Sequence, residues 1–277
     1  IKNKVLRYAI TECNILKESD CPFILKLYYS FQTPENLYMI LDYCPIGDLS
    51  YQIQIDLMEE DEAKFYIAEL IIAIEYLHKK NIIYRDLKPA NILIDDQGHV
   101  KLTDFGLAKE NVTDNTPSKT FCGSLQYLCP EMLSMQGTTK ASDIYGLGTI
   151  LYELISGNPP FYAQDINEMY QNITENKLMF QQFCSDELKD LLTKMLNKNP
   201  KNRITIEEMK NHEFFKDINW EDLVNKKIKP PIDMVNLREE YNISPNVTFV
   251  DQDYTQENKP IKRVNGFTLL RPENEKK

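Results

Sequence analysis

The spacing of apolar and polar positions changes along the chain, and each spacing predicts a different element. In residues 4–18, Val5, Leu6, Ala9, Cys13 and Leu16 fall on one helical stripe with Glu12 beside it, which predicts an amphipathic helix. Residues 59–80 carry a wide apolar face of Phe65, Ala68, Ile72 and Tyr76, flanked by Leu70, Ile71, Ile74 and Leu77. This helix begins acidic and ends basic, which complements its dipole. Residues 141–156 are apolar nearly all round, the mark of a buried helix, and Gly157-Asn158-Pro159-Pro160 stops it. Residues 185–196 and 204–210 read as two further helices. Residues 21–31 and 36–43 read as strands on either side of a Thr33-Pro34-Glu35 turn. Two short apolar runs, Ile92–Ile94 and Val100–Leu102, flank Asp95-Asp96-Gln97-Gly98, a turn signal that predicts a small hairpin. Asp95 and Asp96 read as solvated turn residues. Residues 217–277 are polar, Pro-punctuated and weakly periodic, with Trp220, Phe249, Tyr254 and Phe267 as spaced aromatic anchors.

The composition narrows the class. The 277 residues are 42% apolar, enough for one large or two small domains. The net charge is −10, from 32 basic and 42 acidic residues, and argues against nucleic acid or an anionic membrane as the main partner. No apolar run approaches the roughly 18–20 residues of a transmembrane segment. Cys13, Cys21, Cys44, Cys122, Cys129 and Cys184 include no C-x-x-C pair, which points to reduced thiols in a cytoplasmic or nuclear protein. With three histidines in all, no His-based metal site is expected, and His78 reads as structural.

The chemistry gathers around the predicted hairpin. Its two outer loops lie at one end, so Asp86, Asn91 and Asp104 come together although Asp86 and Asp104 are 18 residues apart. Two carboxylates and an amide oxygen, with no His or Cys nearby, are hard ligands that suit Mg2+ shared with substrate phosphates. Lys88 can offset the charge of a transferring phosphoryl group, and Asp86 can orient a hydroxyl and accept its proton. This is the inventory of phosphoryl transfer. D-L-K-P-x-N followed after 12 residues by D-F-G is a specific double motif.

These segments resemble the catalytic and magnesium-binding loops of eukaryotic protein kinases. Tyr84, in place of the commoner His, is similar to the AGC group, which holds the cyclic-AMP-dependent kinase and protein kinases B and C. The resemblance implies an α+β, protein-kinase-like two-lobe fold, ATP and Mg2+ as cofactors, and transfer of the γ-phosphate to Ser or Thr of proteins. It implies Asp86 as catalytic base and Lys88 at the γ-phosphate. Asn91 and Asp104 become the metal ligands, and Phe105 part of the regulatory spine. Glu12 matches the helix glutamate that pairs with the ATP-binding lysine. Asp42 and Cys44 fall at the adenine hinge and Asp48 at the ribose; Leu93 and Thr103 complete the implied ATP site. Asp143 resembles the aspartate that anchors the catalytic-loop backbone, and Arg203 the arginine that pairs with Glu131.

Regulation and specificity follow from the same resemblance. Residues 118–131, SKTFCGSLQYLCPE, are similar to the AGC activation segment. Thr120 matches its phosphorylated threonine, whose added charge Arg85 could pair with and which implies an upstream activating kinase. Ser124, Leu125 and Gln126 replace the family's Thr, Pro and Glu, and Ser124 keeps a hydroxyl that could bridge Lys88 and Asp86. Ala90 departs from the family's Glu, whereas Glu153 keeps a glutamate that reads basic peptides. Basic Ser/Thr substrates are therefore expected, with a weaker preference than in close relatives. In the last segment, IKPPIDM, FVDQDYT and VNGFTLL resemble the AGC tail that wraps back over the small lobe, and Thr268 falls at its phosphosite.

The expected organisation is a partial small lobe over 1–43, a large lobe over 44–215 and an AGC-type tail over 216–277. No G-x-G-x-x-G occurs, and no strand with a lysine precedes Glu12, so the chain is expected to be a fragment of a longer kinase, inactive by itself. The rival expectations are a catalytically silent, pseudokinase-like binding scaffold and a small-molecule phosphotransferase of the same fold.

Overall fold

The structure is a computed structural model that describes residues 2–34, 36–112, 123–182, 184–231 and 267–270. It opens with helix α1 (Lys2–Lys17), followed by strands β1 (Leu27–Gln32) and β2 (Leu37–Leu41). Helices α2 (Leu49–Ile55) and α3 (Glu60–Lys79) lead to the hairpin of β3 (Ile92–Ile94) and β4 (Val100–Leu102). Helices α4 (Pro130–Leu133), α5 (Lys140–Ser156), α6 (Ile166–Thr174), α7 (Asp186–Met195), α8 (Ile206–Lys210) and α9 (Trp220–Val224) follow, and β5 (Leu269–Leu270) is the last element described. The result is a small sheet-containing lobe and a larger helical lobe.

The small sheet has the order β2-β1-β5. β1 pairs antiparallel with β2, from Gln32 opposite Leu37 to Leu27 opposite Leu41, with an irregularity between Leu27 and Tyr29. The expected strand over 21–31 is shorter than its apolar run. Residues 21–25 form a turn and a single bridge instead, because this stretch docks onto the hairpin: Leu102 N–H donates to Phe23 O at 2.9 Å and Leu25 N–H donates to Leu102 O at 3.0 Å. Phe23, Ile24 and Leu25 are buried by that contact. The small lobe is thus tied to the edge of β4 through backbone hydrogen bonds.

The large lobe is built on α3 and α5. Glu59 caps α3 in a reciprocal capping box with Glu62. Thr139 and Ser142 form the same device at the start of α5. Gly157 closes α5 in a left-handed conformation (φ 80°), a backbone state that favours glycine. Two glycines let α5 approach its neighbours. A Cβ on Gly146 would lie 2.8 Å from Leu87 Cβ, and one on Gly148 would lie 2.9 Å from Met195 Cβ. Helices α2, α6 and α9 lie in stretches where the sequence pattern predicts none. All three are short and begin at a side-chain cap, from Asp48, Asp165 and Asn219 respectively.

The last described segment touches the small lobe. β5 pairs antiparallel with β1, Ser30 opposite Leu269. Phe267 is buried, and its carbonyl accepts from Ser30 Oγ at 2.5 Å and Lys17 Nζ at 2.6 Å. Thr268 beside it is exposed. Of the expected tail anchors, Phe267 thus meets the small lobe, and Trp220 packs in the large lobe against Phe215. Phe249 and Tyr254, with the rest of residues 232–266, lie outside the described residues, as does Thr120.

Candidate active site

The hairpin determines where the acidic and amide groups meet. Ile92 pairs with Leu102, and Thr103 N–H donates to Asn91 O at 3.0 Å. Asn91 and Asp104 therefore flank the open end of the two strands. Asp86 is buried, and two neighbours address its carboxylate: Lys88 Nζ at 2.9 Å and Asn91 Nδ2 at 2.9 Å. Asn91 Nδ2 also donates to Asp86 O at 3.0 Å. With its nitrogen committed to Asp86, the Asn91 amide presents its oxygen as the remaining donor atom.

Asp104 is exposed and its backbone is left-handed (φ 53°). Its Oδ1 accepts the Gly106 N–H at 3.3 Å. The residue after it, Phe105, turns the other way and is fully buried against Tyr84, edge to face at 5.3 Å. Tyr84 donates its hydroxyl to Thr103 O. Burial pushes the Tyr84 phenol well above its ordinary pKa, and the nearby Asp104 and Asp86 carboxylates push it further. The phenol is therefore a fixed donor under the acidic cluster.

Asp143, at the start of α5, holds the loop that carries Asp86. Its Oδ2 accepts the Tyr84 N–H at 3.0 Å and its Oδ1 accepts the Arg85 N–H at 2.9 Å. His78 Nε2 lies 2.7 Å from the same carboxylate. Arg85 is left-handed (φ 72°), and its Nε donates to Leu107 O at 2.8 Å, joining this loop to the residues after Phe105. Further down, Arg203 meets Glu131 through two hydrogen bonds of 2.5 and 2.6 Å, buried on both sides. Burial by itself would raise Glu131, but the Arg203 guanidinium brings its carboxyl below the ordinary value.

The remaining predicted residues surround this centre. Burial raises the pKa of Glu12 to about 7; the Asp104 charge adds to this, and the backbone N–H groups of Phe105 and Asp104 oppose it. Glu12 thus faces the Asp104–Phe105 backbone from α1. Asp42 accepts from Lys26 N–H at 3.0 Å and Tyr28 Oη at 2.8 Å, and Lys101 Nζ is 3.1 Å away. Cys44 follows it, half-buried, and its thiol is pushed up to about 12 by burial and by the Asp42 charge. Asp48 caps α2 by accepting the Tyr51 N–H at 3.0 Å, and bridges to Leu93 on β3. Glu153 Oε1 accepts from Tyr127 Oη at 3.1 Å, while its Oε2 is buried with no hydrogen-bond partner among the described residues. Burial raises its pKa to about 7.

Two expectations differ from the structure. Ser124 is exposed, and among the described residues no hydrogen bond joins its hydroxyl to Asp86 or Lys88; Lys88 reaches Asp86 directly, leaving no gap to bridge. Asp95 is buried rather than solvated: its Oδ1 accepts the N–H groups of Gln97 and His99, and its Oδ2 meets Lys226 at 2.8 Å. The turn pattern could not reveal this, because the partner lies 131 residues away. Asp96 is exposed as expected. The sequence pattern also misses the buried Glu69–His99 pair, 2.6 Å apart; the strong apolar face of α3 is its only signal, since Glu69 interrupts it.

Among the described residues, no group of three His, Cys, Asp or Glu side chains is placed to hold a metal. The candidate set is instead Asp104 with the amide oxygen of Asn91, hard donors that leave most of an octahedral shell to water and phosphate oxygens, as Mg2+ prefers. Also among the described residues, no helix is long and apolar enough to cross a membrane.

Comparison with known proteins places these motifs in a family. The protein kinase domain matches residues 1–215. The serine/threonine-protein kinase Sgk1 of Xenopus tropicalis is 46% identical over 237 residues, covering 83% of this chain and 57% of the relative. A RAC family serine/threonine-protein kinase homolog of Dictyostelium discoideum is 39% identical over 279 residues, covering 100% of this chain and 62% of the relative. The serine/threonine-protein kinase YPK2/YKR2 of Saccharomyces cerevisiae is 42% identical over 261 residues, with 93% and 38% covered. The chain thus spans less than two thirds of each of these curated relatives.

Proposed function

Because the chain belongs to the protein kinase family, among the serine/threonine kinases of its AGC group, we propose that the protein carrying it transfers the γ-phosphate of ATP to Ser and Thr hydroxyls of proteins. The observation that carries this reading is the Asp86–Lys88–Asn91 constellation, with both Lys88 and Asn91 within 2.9 Å of one Asp86 oxygen.

Asp86 is the group that orients the incoming hydroxyl and takes its proton. The hydroxyl oxygen bonds to the γ-phosphorus as the bond from that phosphorus to the β–γ bridging oxygen breaks, and ADP leaves. Lys88 offsets charge on the transferring group, and the low dielectric around buried Asp86 strengthens that interaction. Asn91 and Asp104 are the residues that would hold Mg2+, which when bound neutralises phosphate charge. Asp42, Cys44, Asp48, Leu93, Thr103 and Glu12 form the proposed ATP side of the site. Glu153 is proposed to read basic residues of the peptide, and Thr120 and Thr268 to be phosphorylated in regulation.

The test is transfer of labelled γ-phosphate from Mg-ATP to a basic Ser/Thr peptide by the full-length protein and its Asp86→Asn form. General-base loss should lower the rate about 100- to 10,000-fold. Equal rates for the two forms, or no transfer even after phosphorylation by an activating kinase, would favour a binding scaffold.

A further inference from the structure

The far end of the β3–β4 hairpin is tied to the segment that follows the large lobe. Lys226 Nζ lies 2.8 Å from Asp95 Oδ2, and both side chains are largely withdrawn from solvent. The same ammonium stands 6.0 Å over the ring of Phe23, which is hydrogen-bonded through its carbonyl to Leu102 of β4. The other Asp95 oxygen closes the turn by accepting Gln97 N–H at 3.0 Å and His99 N–H at 2.9 Å. His99 Nδ1 is 2.6 Å from Glu69 Oε1, and Glu69 Oε2 accepts the Val100 N–H at 2.9 Å. A carboxylate opposite Nδ1 assigns the proton to that nitrogen. The turn is therefore clamped twice, by α3 through Glu69 and by residues 217–231 through Lys226.

Lys226 is delivered by α9. Leu223 is fully buried, Trp220 packs 5.6 Å from Phe215, and Trp220 Nε1 donates to Lys210 O at 3.1 Å. Beyond the helix Lys226 takes a left-handed backbone (φ 54°), and its N–H donates to Leu223 O at 2.9 Å. That conformation is disfavoured for a residue with a Cβ, so the side chain's bridge to Asp95 helps to offset it.

We propose that Lys226 is a positioning residue for phosphoryl transfer: through Asp95 it holds β3 in register with β4, and so sets the spacing of Asn91 and Asp104 at the opposite end. Each strand is three residues long, a lever of about 10 Å. Its last rung is the Thr103 N–H to Asn91 O bond. A loosened turn frays the ladder from one end, and the metal-holding pair sits at the other. The inference rests on the reading that Asn91 and Asp104 hold Mg2+.

The test uses the full-length protein as wild type, Lys226→Met, Lys226→Arg and Lys227→Met; Lys227 is exposed and forms its ion pair with Asp222 rather than with Asp95. Partners outside a metal's direct ligands typically change affinity about 10- to 100-fold. Lys226 acts one step further out, so Lys226→Met should raise the Mg2+ concentration for half-maximal transfer about 3- to 10-fold. Lys226→Arg should restore it, and Lys227→Met should leave it unchanged. Hydrogen exchange of the β3 and β4 amides, measured without Mg2+, should speed up in Lys226→Met alone. Unchanged Mg2+ dependence and unchanged exchange would overturn the proposal, as would a lower maximal rate without either effect. If Lys226→Met does not fold, Lys226→Gln, which keeps a donor without the charge, decides by the same two readouts. Faster exchange with no Mg2+ effect, in a protein whose Asp104→Asn form keeps normal Mg2+ dependence, would instead overturn the metal reading and this inference with it.

Discussion

Asp143 and Arg85 are joined by a hydrogen bond of 2.9 Å from the Arg85 backbone N–H to Asp143 Oδ1, at a position where Arg85 adopts a left-handed backbone. Such a conformation costs about 1–3 kcal/mol in a residue with a side chain. The buried carboxylate also receives the Tyr84 N–H, so it binds two successive peptide N–H groups and helps to offset that strain. The loop that carries Asp86 is thus shaped by a residue of α5, 58 positions after Arg85.

Asp143→Ala should therefore leave two backbone donors and His78 without their acceptor. Each buried unsatisfied group costs about 1–3 kcal/mol. A loss of several kcal/mol in denaturant unfolding is expected, with transfer falling more than Mg-ATP binding. Normal transfer at normal stability would show that the loop holds its shape without Asp143.

Gly146→Ala and Gly148→Ala make a paired comparison. Alanine favours the helix over glycine by about 1 kcal/mol, whereas forcing a methyl into a packed core costs about 1–3 kcal/mol. The new Cβ at 146 would press on Leu87 Cβ, a rigid obstacle between Asp86 and Lys88; the one at 148 would press on Met195. Both variants should unfold at lower temperature. Only Gly146→Ala should also lower the maximal transfer rate, because only there does the displacement reach the catalytic loop.

Glu153 should give the enzyme a pH-dependent grip on basic peptides. Its carboxyl is raised to about 7 by burial, so it gains its charge as pH rises through neutrality. The KM for a basic peptide should fall between pH 6 and pH 8, and Glu153→Gln should flatten that profile. The stability effect has the opposite sense. A carboxyl with a raised folded pKa binds its proton more tightly in the fold, so its contribution declines as pH climbs from about 4.5 to about 7. Thermal melts of the wild type and Glu153→Gln across that window would read it.

The Glu131–Arg203 pair should behave as a buried ion pair. Arg203→Ala strands a carboxylate and should cost about 3–5 kcal/mol. Replacing both partners with apolar residues of similar volume should cost much less, measured by a double-mutant cycle. Since Glu131 lies below its ordinary value in the fold, its contribution is complete above about pH 4.5 and is lost as pH falls further. A melt that is insensitive to acid in this range would contradict the assignment.

The helices with long periodic faces are legible from residue order. α3 and α5 begin and end within a residue of the expected bounds, because their apolar stripes, capping residues and stop signals are all local. The strand expected over 21–31 is too long, since apolar residues from 21 to 25 are buried against β4 rather than in a ladder, and burial by either route has the same sequence pattern. Helices α2, α6 and α9 are missed by the apolar pattern: each is short and is started by a single polar cap, Asp48, Asp165 or Asn219, a signal that residues of these types also give in ordinary turns. The neighbouring polar residues of the site are readable as D-L-K-P-x-N and D-F-G, since phosphoryl transfer needs those groups at short spacing.

By itself, the order of residues determined which long helices form and which family shares the motifs: these depend on spacing along the chain. The tertiary structure decided which distant groups complete each charge. Asp95 is buried beside Lys226, Glu69 beside His99, and Asp143 under Arg85. A buried charge needs a partner within about 3 Å, and sequence carries no record of which residue, 30 or 131 positions away, the folded core will bring there.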